Sequence, residues 1–199
     1  LIKGDSRIRL TIYRSGSGKF SPESNIATGF ASIETTDEEG YTLNERGLAI
    51  GLYQDLAKTP SRFSLFKNLH SQLYIQAGIY AREQGLDEVI ILNDDNNLIE
   101  TISYNVFLVV DGALYTPSLE YGAVGGVMRV TIINLALRLG MKVFESKLAA
   151  QDLVKADEVF ITNAVKGIQW IASYRTKRYF NKTSTLLTEE LRRLTNPRV

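Results

Sequence analysis

The stretch that decides the fold runs from residue 100 to residue 129. It opens with Glu100-Thr101-Ile102-Ser103-Tyr104-Asn105-Val106-Phe107, continues through Leu114-Tyr115-Thr116-Pro117 and ends on Val124-Gly125-Gly126-Val127-Met128-Arg129. The stretch 99–110 reads as a strand, apolar over its second half, and 113–116 as its partner. Between them Asp111-Gly112 is a two-residue hairpin signal, because the tight turn that suits twisted strands needs positive φ at its centre. The glycine pair then opens a helix predicted over 127–139. Amides at a helix start lack intrahelical acceptors and point outward, and the helix dipole favours an anion there. An acid on a strand, a hairpin and a glycine-opened helix thus follow one another within thirty residues.

Working outward, Leu69, Leu73, Gln76-Ala77 and Tyr80 step at helical spacing and predict a helix over 66–84, with Gly85 as its C-cap. A buried strand over 87–92 and a turn over 93–97 lead into the deciding stretch. Residues 54–64 lose periodicity around Pro60 and read as a linker. Before it, alternation predicts strands over 7–13, 28–34 and 48–53, separated by polar loops. After the glycine helix come a strand over 142–144, a helix over 150–155, a strand over 158–162 and a helix over 185–194. Hairpins and helices mix without a regular βαβ run, so the fold class is α+β.

Composition narrows the chemistry. The 199 residues contain no Cys and a single His, His70. Thiol nucleophiles, disulfides and Cys-ligated metals are excluded, and no metal site is expected. A Ser-His-Asp triad would have to run through His70 alone, and a lone His on a helix is more often structural. With 23 basic and 22 acidic side chains the net charge is +1, which argues against nucleic-acid binding by bulk electrostatics. No apolar run approaches the roughly 18–20 residues that span a bilayer, so no membrane partner is expected. Absent Cys fits a cytoplasmic setting.

The ordered set of motifs resembles the signature of the class IV aminotransferases, the fold-type IV pyridoxal-phosphate enzymes. Its slots are an acid (Glu100), Asn-aliphatic-aromatic (Asn105-Val106-Phe107), aliphatic-x-Thr (Leu114-Tyr115-Thr116) and the glycine helix start ending on a basic residue (Val124 to Arg129). The resemblance implies a two-domain architecture whose N-terminal domain is incomplete in this chain. Residues 1–53 would be the remainder of the smaller domain, 54–65 the interdomain linker and 66–199 the larger cofactor-binding domain. It also implies pyridoxal 5'-phosphate as cofactor, a small-molecule substrate and a homodimer. The family carries its cofactor as a Schiff base on a Lys some thirty residues before the acid. Lys67 stands 33 residues before Glu100; Lys58, 42 residues before it, is the nearest rival. Glu100 would face the pyridine nitrogen, Val124 would pack on the ring, and Val127 and Met128 would give amides to the phosphate. The turn at Asn163-Ala164 would add more.

Within the family, Gly126-Val127-Met128-Arg129 and Asn163-Ala164 look most like aminodeoxychorismate lyase, which makes p-aminobenzoate and pyruvate for folate synthesis. The alternative is an amino-acid transaminase acting on branched-chain or D-amino acids. The loop Gly16-Ser17-Gly18-Lys19 lacks the Walker spacing and reads as a surface loop; the run from Arg14 to Lys19 also resembles the lyase's glycine-rich loop, which implies Lys19 as a candidate for a substrate carboxylate. The basic and aromatic run from Tyr174 to Lys182 reads as a solvated face with its aromatics tucked inward.

Overall fold

The computed structural model describes residues 6–36 and 40–195, in two compact units, Leu1–Gly40 and Tyr41–Val199. The first unit is an antiparallel hairpin of β1 (Ser6–Arg14) and β2 (Ala27–Thr35). Alternation puts Ile8, Leu10 and Ile12 on one face opposite Ile33, Ala31 and Gly29. Arg7 on the other face pairs with Glu34 at 3.2 Å. The connecting loop closes through Ser15 N–H to the Ile26 carbonyl at 2.9 Å.

The second unit holds the remaining elements. In chain order they are β3 (Leu48–Tyr53), α1 (Gln72–Glu83), β4 (Glu88–Leu92), β5 (Leu98–Thr101), β6 (Asn105–Val110) and β7 (Ala113–Pro117). A 3-10 turn (Leu119–Tyr121) then leads to α2 (Val127–Arg138), β8 (Val143–Ser146), α3 (Ala150–Lys155), β9 (Glu158–Asn163), β10 (Gly167–Tyr174), β11 (Lys177–Arg178) and α4 (Lys182–Thr195). The nine strands form one sheet that closes on itself. β3 pairs with β4, β4 with β5, β5 with β6, β6 with β9, β9 with β10, and β10 returns to β3. β7 and β8 branch from β6, and β11 from β10.

Closure explains why these strands read as nearly continuous apolar runs: both faces are buried. Ile50, Ile90, Leu98, Val106, Leu108 and Ile161 fill the interior, plugged at one end by Leu148 and Leu153. On the outside, Phe107, Phe160, Met128, Ile132, Leu187 and Leu191 join the sheet to α2 and α4, with the two phenylalanine rings stacked at 5.1 Å. On another flank Val89, Ile91 and Ile99 pack under Ala77 and Ala81 of α1. Each such apolar side chain contributes about 1.5–3 kcal/mol on full burial.

Several expectations shift. The boundary expected at 53/54 falls at 40/41, because β3 is a central strand of the closed sheet, parallel to both neighbours. The expected linker 54–65 is an irregular segment of the second unit. The helix expected from 66 begins at Gln72. The Asn68 side-chain oxygen accepts the His70 N–H at 3.0 Å, and Ser71 N–H reaches the Leu69 carbonyl, so local bonds compete with the helix. Lys67 and His70 are exposed ahead of α1 rather than on it. The single strand expected over 99–110 is two, reversed by a turn over 102–104 in which Thr101 N–H bonds the Tyr104 carbonyl at 2.8 Å. The hairpin at Asp111-Gly112 forms as expected, with φ of 48° and 75°. β10 and β11 were not anticipated. In the basic run, Tyr174 and Tyr179 are buried, while Phe180 is 74% exposed.

Candidate active site

The site is built where β5 turns into β6. Across the β4–β5 ladder Ile91 faces Glu100 and Leu92 faces Leu98, so Ile99 is an extra residue, a bulge. Ile91 and Ile99 pack outside the sheet under α1, and Leu98 fills its interior. The bulge thereby turns Glu100 onto the outer side, against α1, instead of leaving it in the barrel core where strict alternation would place it. There its side chain, 4% exposed, is fully engaged. Oε1 accepts the Tyr74 hydroxyl and Lys58 Nζ, each at 2.7 Å, and Oε2 accepts the Val124 N–H at 2.8 Å. The half-buried Tyr74 hydroxyl, beside this carboxylate, is pushed well above the ordinary tyrosine range, chiefly by desolvation.

Asn105, opposite Glu100 in the ladder, carries the arrangement to the glycine segment. Its Nδ2 donates to the Val124 carbonyl at 2.8 Å, and its Oδ1 lies where a Cβ on Gly126 would come, at 2.2 Å. Residue 126 therefore has to be glycine for the first turn of α2 to sit this close. No side chain caps α2 at Gly126, so the amides of its first turn keep their outward direction. Val127 at that start is 79% exposed and Met128 is buried.

Asn105 also pairs with Thr162 at the end of β9, just before Asn163-Ala164. Asn163 Oδ1 accepts the amides of Val165 and Lys166, and its Nδ2 reaches the Ser103 carbonyl at 3.4 Å. The Ala164 carbonyl accepts the Tyr41 hydroxyl at 2.9 Å. Thr162 Oγ1 is buried and, among the described residues, has no hydrogen-bond partner. An uncapped helix start and an unpartnered hydroxyl flank one asparagine, which is how a cradle for an anion with several acceptor oxygens is made.

The remaining signature residues are structural. Thr116 Oγ1 ties β7 to β6 through the Val106 carbonyl at 2.8 Å. Arg129, 2% exposed, braces α2 to the Pro117 carbonyl at 2.9 Å and to Glu145 at 2.6 Å. Glu88, at the start of β4, supports the β5–β6 turn by accepting the Ile102 N–H at 3.2 Å. Burial pushes its carboxyl up to about 7, and hydrogen bonds from the Thr101 side chain, the Ile102 and Val89 amides and the Ser103 side chain offset part of that rise.

The structure thus brings Glu100, Val124, Gly126 and Thr162 to Asn105, with Val127 and Met128 next in the chain after Gly126 and Asn163-Ala164 next after Thr162. It seats Lys58 on Glu100, whereas Lys67 is exposed in the segment leading to α1. That segment is nonetheless tied to the site: Gly125 N–H bonds the Leu65 carbonyl at 2.9 Å, two residues before Lys67. Lys19 is exposed in the hairpin loop of the first unit. Among the described residues no cluster could hold a metal ion, and no helix is long and apolar enough to cross a membrane. Tyr74 and Asn105 were not assigned roles from sequence; Asn105 stood inside the signature, but nothing marked Tyr74 apart from other aromatic residues on a helical face.

Comparison with known proteins supplies the class. The family model for amino-transferase class IV matches residues 2–174, and the chain belongs to that family, whose members are pyridoxal-phosphate-dependent enzymes. A protein of Methanocaldococcus jannaschii, provisionally named a branched-chain-amino-acid aminotransferase, is 32% identical over 126 residues, 63% of this chain and 44% of its own length. The chain spans less than half of that relative. Among solved structures, the branched-chain amino acid aminotransferase of Thermobaculum terrenum in its PLP form matches all of this chain and 66% of its own. The TM-score is 0.87 at 23% identity. A Legionella pneumophila protein provisionally called 4-amino-4-deoxychorismate lyase matches 96% of this chain and 69% of its own, with a TM-score of 0.82 at 22% identity. These two likenesses show the fold, which is fold-type IV.

Proposed function

We propose that this chain carries the cofactor-binding part of a pyridoxal-phosphate enzyme that acts on a small amine, with aminodeoxychorismate lyase as the first reading. The observation that carries it is Glu100, an acid turned out by a bulge and held by three donors beside an uncapped helix start. When bound, pyridoxal 5'-phosphate supplies an electron sink for the carbanion left by proton loss. Glu100 would hold a proton on the ring nitrogen, with Tyr74 and the Val124 amide fixing the carboxylate. The Val127 and Met128 amides would hold the phosphate, with the Asn163-Ala164 turn adding to them, and Val124 would pack on the ring.

In this reading Lys67 would be the lysine that holds the cofactor covalently and would serve as the base that moves the proton. Lys58 is engaged with Glu100, the acid that would hold the ring nitrogen, whereas Lys67 is exposed two residues beyond Leu65, whose carbonyl is bonded to Gly125 at the glycine segment.

The lyase reading rests on the resemblance of Gly126-Val127-Met128-Arg129 and Asn163-Ala164. A branched-chain transaminase is the second reading, favoured by the name of the 32%-identical relative. Release of pyruvate from aminodeoxychorismate with no keto-acid acceptor supports the lyase. Amino transfer that depends on an acceptor, from leucine, isoleucine or valine, overturns it.

A further inference from the structure

Lys58 is a charged group at the site that the proposed chemistry does not use. Its Nζ lies 2.7 Å from Glu100 Oε1, 5.7 Å from the centre of the Tyr74 ring and 3.5 Å from the Ser64 carbonyl. The pair is well removed from water, with side chains 14% and 4% exposed. Two of the other acceptor positions of Glu100 are taken by Tyr74 and the Val124 amide. A single buried carboxylate balances one cation. A protonated ring nitrogen next to the Lys58 ammonium would place two positive charges on one negative charge in a poorly solvated corner, where like charges repel strongly.

We propose that Lys58 is a displaceable counter-ion: it holds Glu100 in position and withdraws when the ring nitrogen of the cofactor takes the same oxygen, so that loading is an exchange of cations. The inference rests on the function proposed above. The local build suits it. The Lys58 backbone is anchored by its N–H on the Leu92 carbonyl at 2.9 Å, so the flexible four-carbon stem is the part that moves. The flanking residues Ala57 and Thr59 are exposed, which leaves the ammonium a short path to water.

The test uses the protein at its full natural length and pyridoxamine 5'-phosphate, which has the ring nitrogen and phosphate but no aldehyde to react with a lysine. Affinity is read by fluorescence titration, and melting temperature is read with and without the probe. Lys58→Met is expected to bind the probe roughly tenfold more tightly, since no charged hydrogen bond has to break. Without the probe it should melt several degrees lower, because Glu100 loses its partner, and that deficit should close at saturation. Lys58→Arg, which grips a carboxylate through two nitrogens, is expected to melt like the wild type and to bind the probe more weakly. A lysine with only a structural or cofactor-contacting role predicts the reverse: weaker binding with Met and rescue by Arg. That order overturns the proposal. If the wild type binds no probe at all, the functional reading itself fails and takes this inference with it.

Discussion

Two buried carboxylates, Glu100 just before the β5–β6 turn and Glu88 bonded to its Ile102 amide, are treated in opposite ways. Glu100 is given an ammonium, a phenol and an amide. Glu88, 8% exposed, is given only amides and hydroxyls, and burial raises its carboxyl to about 7. The difference teaches where the fold commits a charge. An acid that must face a cation is supplied with one, whereas an acid that only braces a turn can be satisfied as a neutral, hydrogen-bonded group.

Disturbing the first should cost most. Glu100→Gln leaves the Lys58 ammonium without its counter-charge, and a loss of about 3–5 kcal/mol in unfolding free energy is expected by denaturant titration. The second should show itself in pH. The folded protein holds the Glu88 proton up to about 7 against an ordinary value of 4.5, so Glu88 contributes stability that is present below 4.5 and lost as pH rises through 7. The fall should not exceed about 3.5 kcal/mol, at ~1.4 kcal/mol per pKa unit. Glu88→Gln should flatten that slope; a variant as steep as the wild type would show that Glu88 is not its source.

A smaller effect is expected at the cradle. Gly126→Ala drives a Cβ into Asn105 Oδ1, and should destabilise by about 1–3 kcal/mol while weakening phosphate binding, as read by titration with pyridoxamine 5'-phosphate. At the bottom of the scale, His70→Ala, on an exposed residue outside α1, should change stability by less than about 0.5 kcal/mol and leave cofactor binding alone.

The same contrast explains how much the sequence disclosed. The Glu100 side was legible because it is local: an acid, an Asn five residues later at the start of the next strand, and a glycine-opened helix lie close together in the chain. The bulge at Ile99 was not legible, since alternation gives no sign that one strand carries an extra residue. The turn over 102–104 has neither Gly nor Pro to announce it. Lys58 and Tyr74 reach Glu100 across the fold, from an aperiodic segment and from a helix, and only packing brings them there. The last strands were missed because β10 is buried through ring closure with β3, a pairing more than a hundred residues apart.

The account turns on which lysine serves the cofactor. Borohydride reduction of the full-length protein loaded with pyridoxal 5'-phosphate, followed by peptide mapping, places the label on one residue. The label is expected on Lys67, absent in Lys67→Ala and retained in Lys58→Met. A label on Lys58, or none on either lysine, would contradict it.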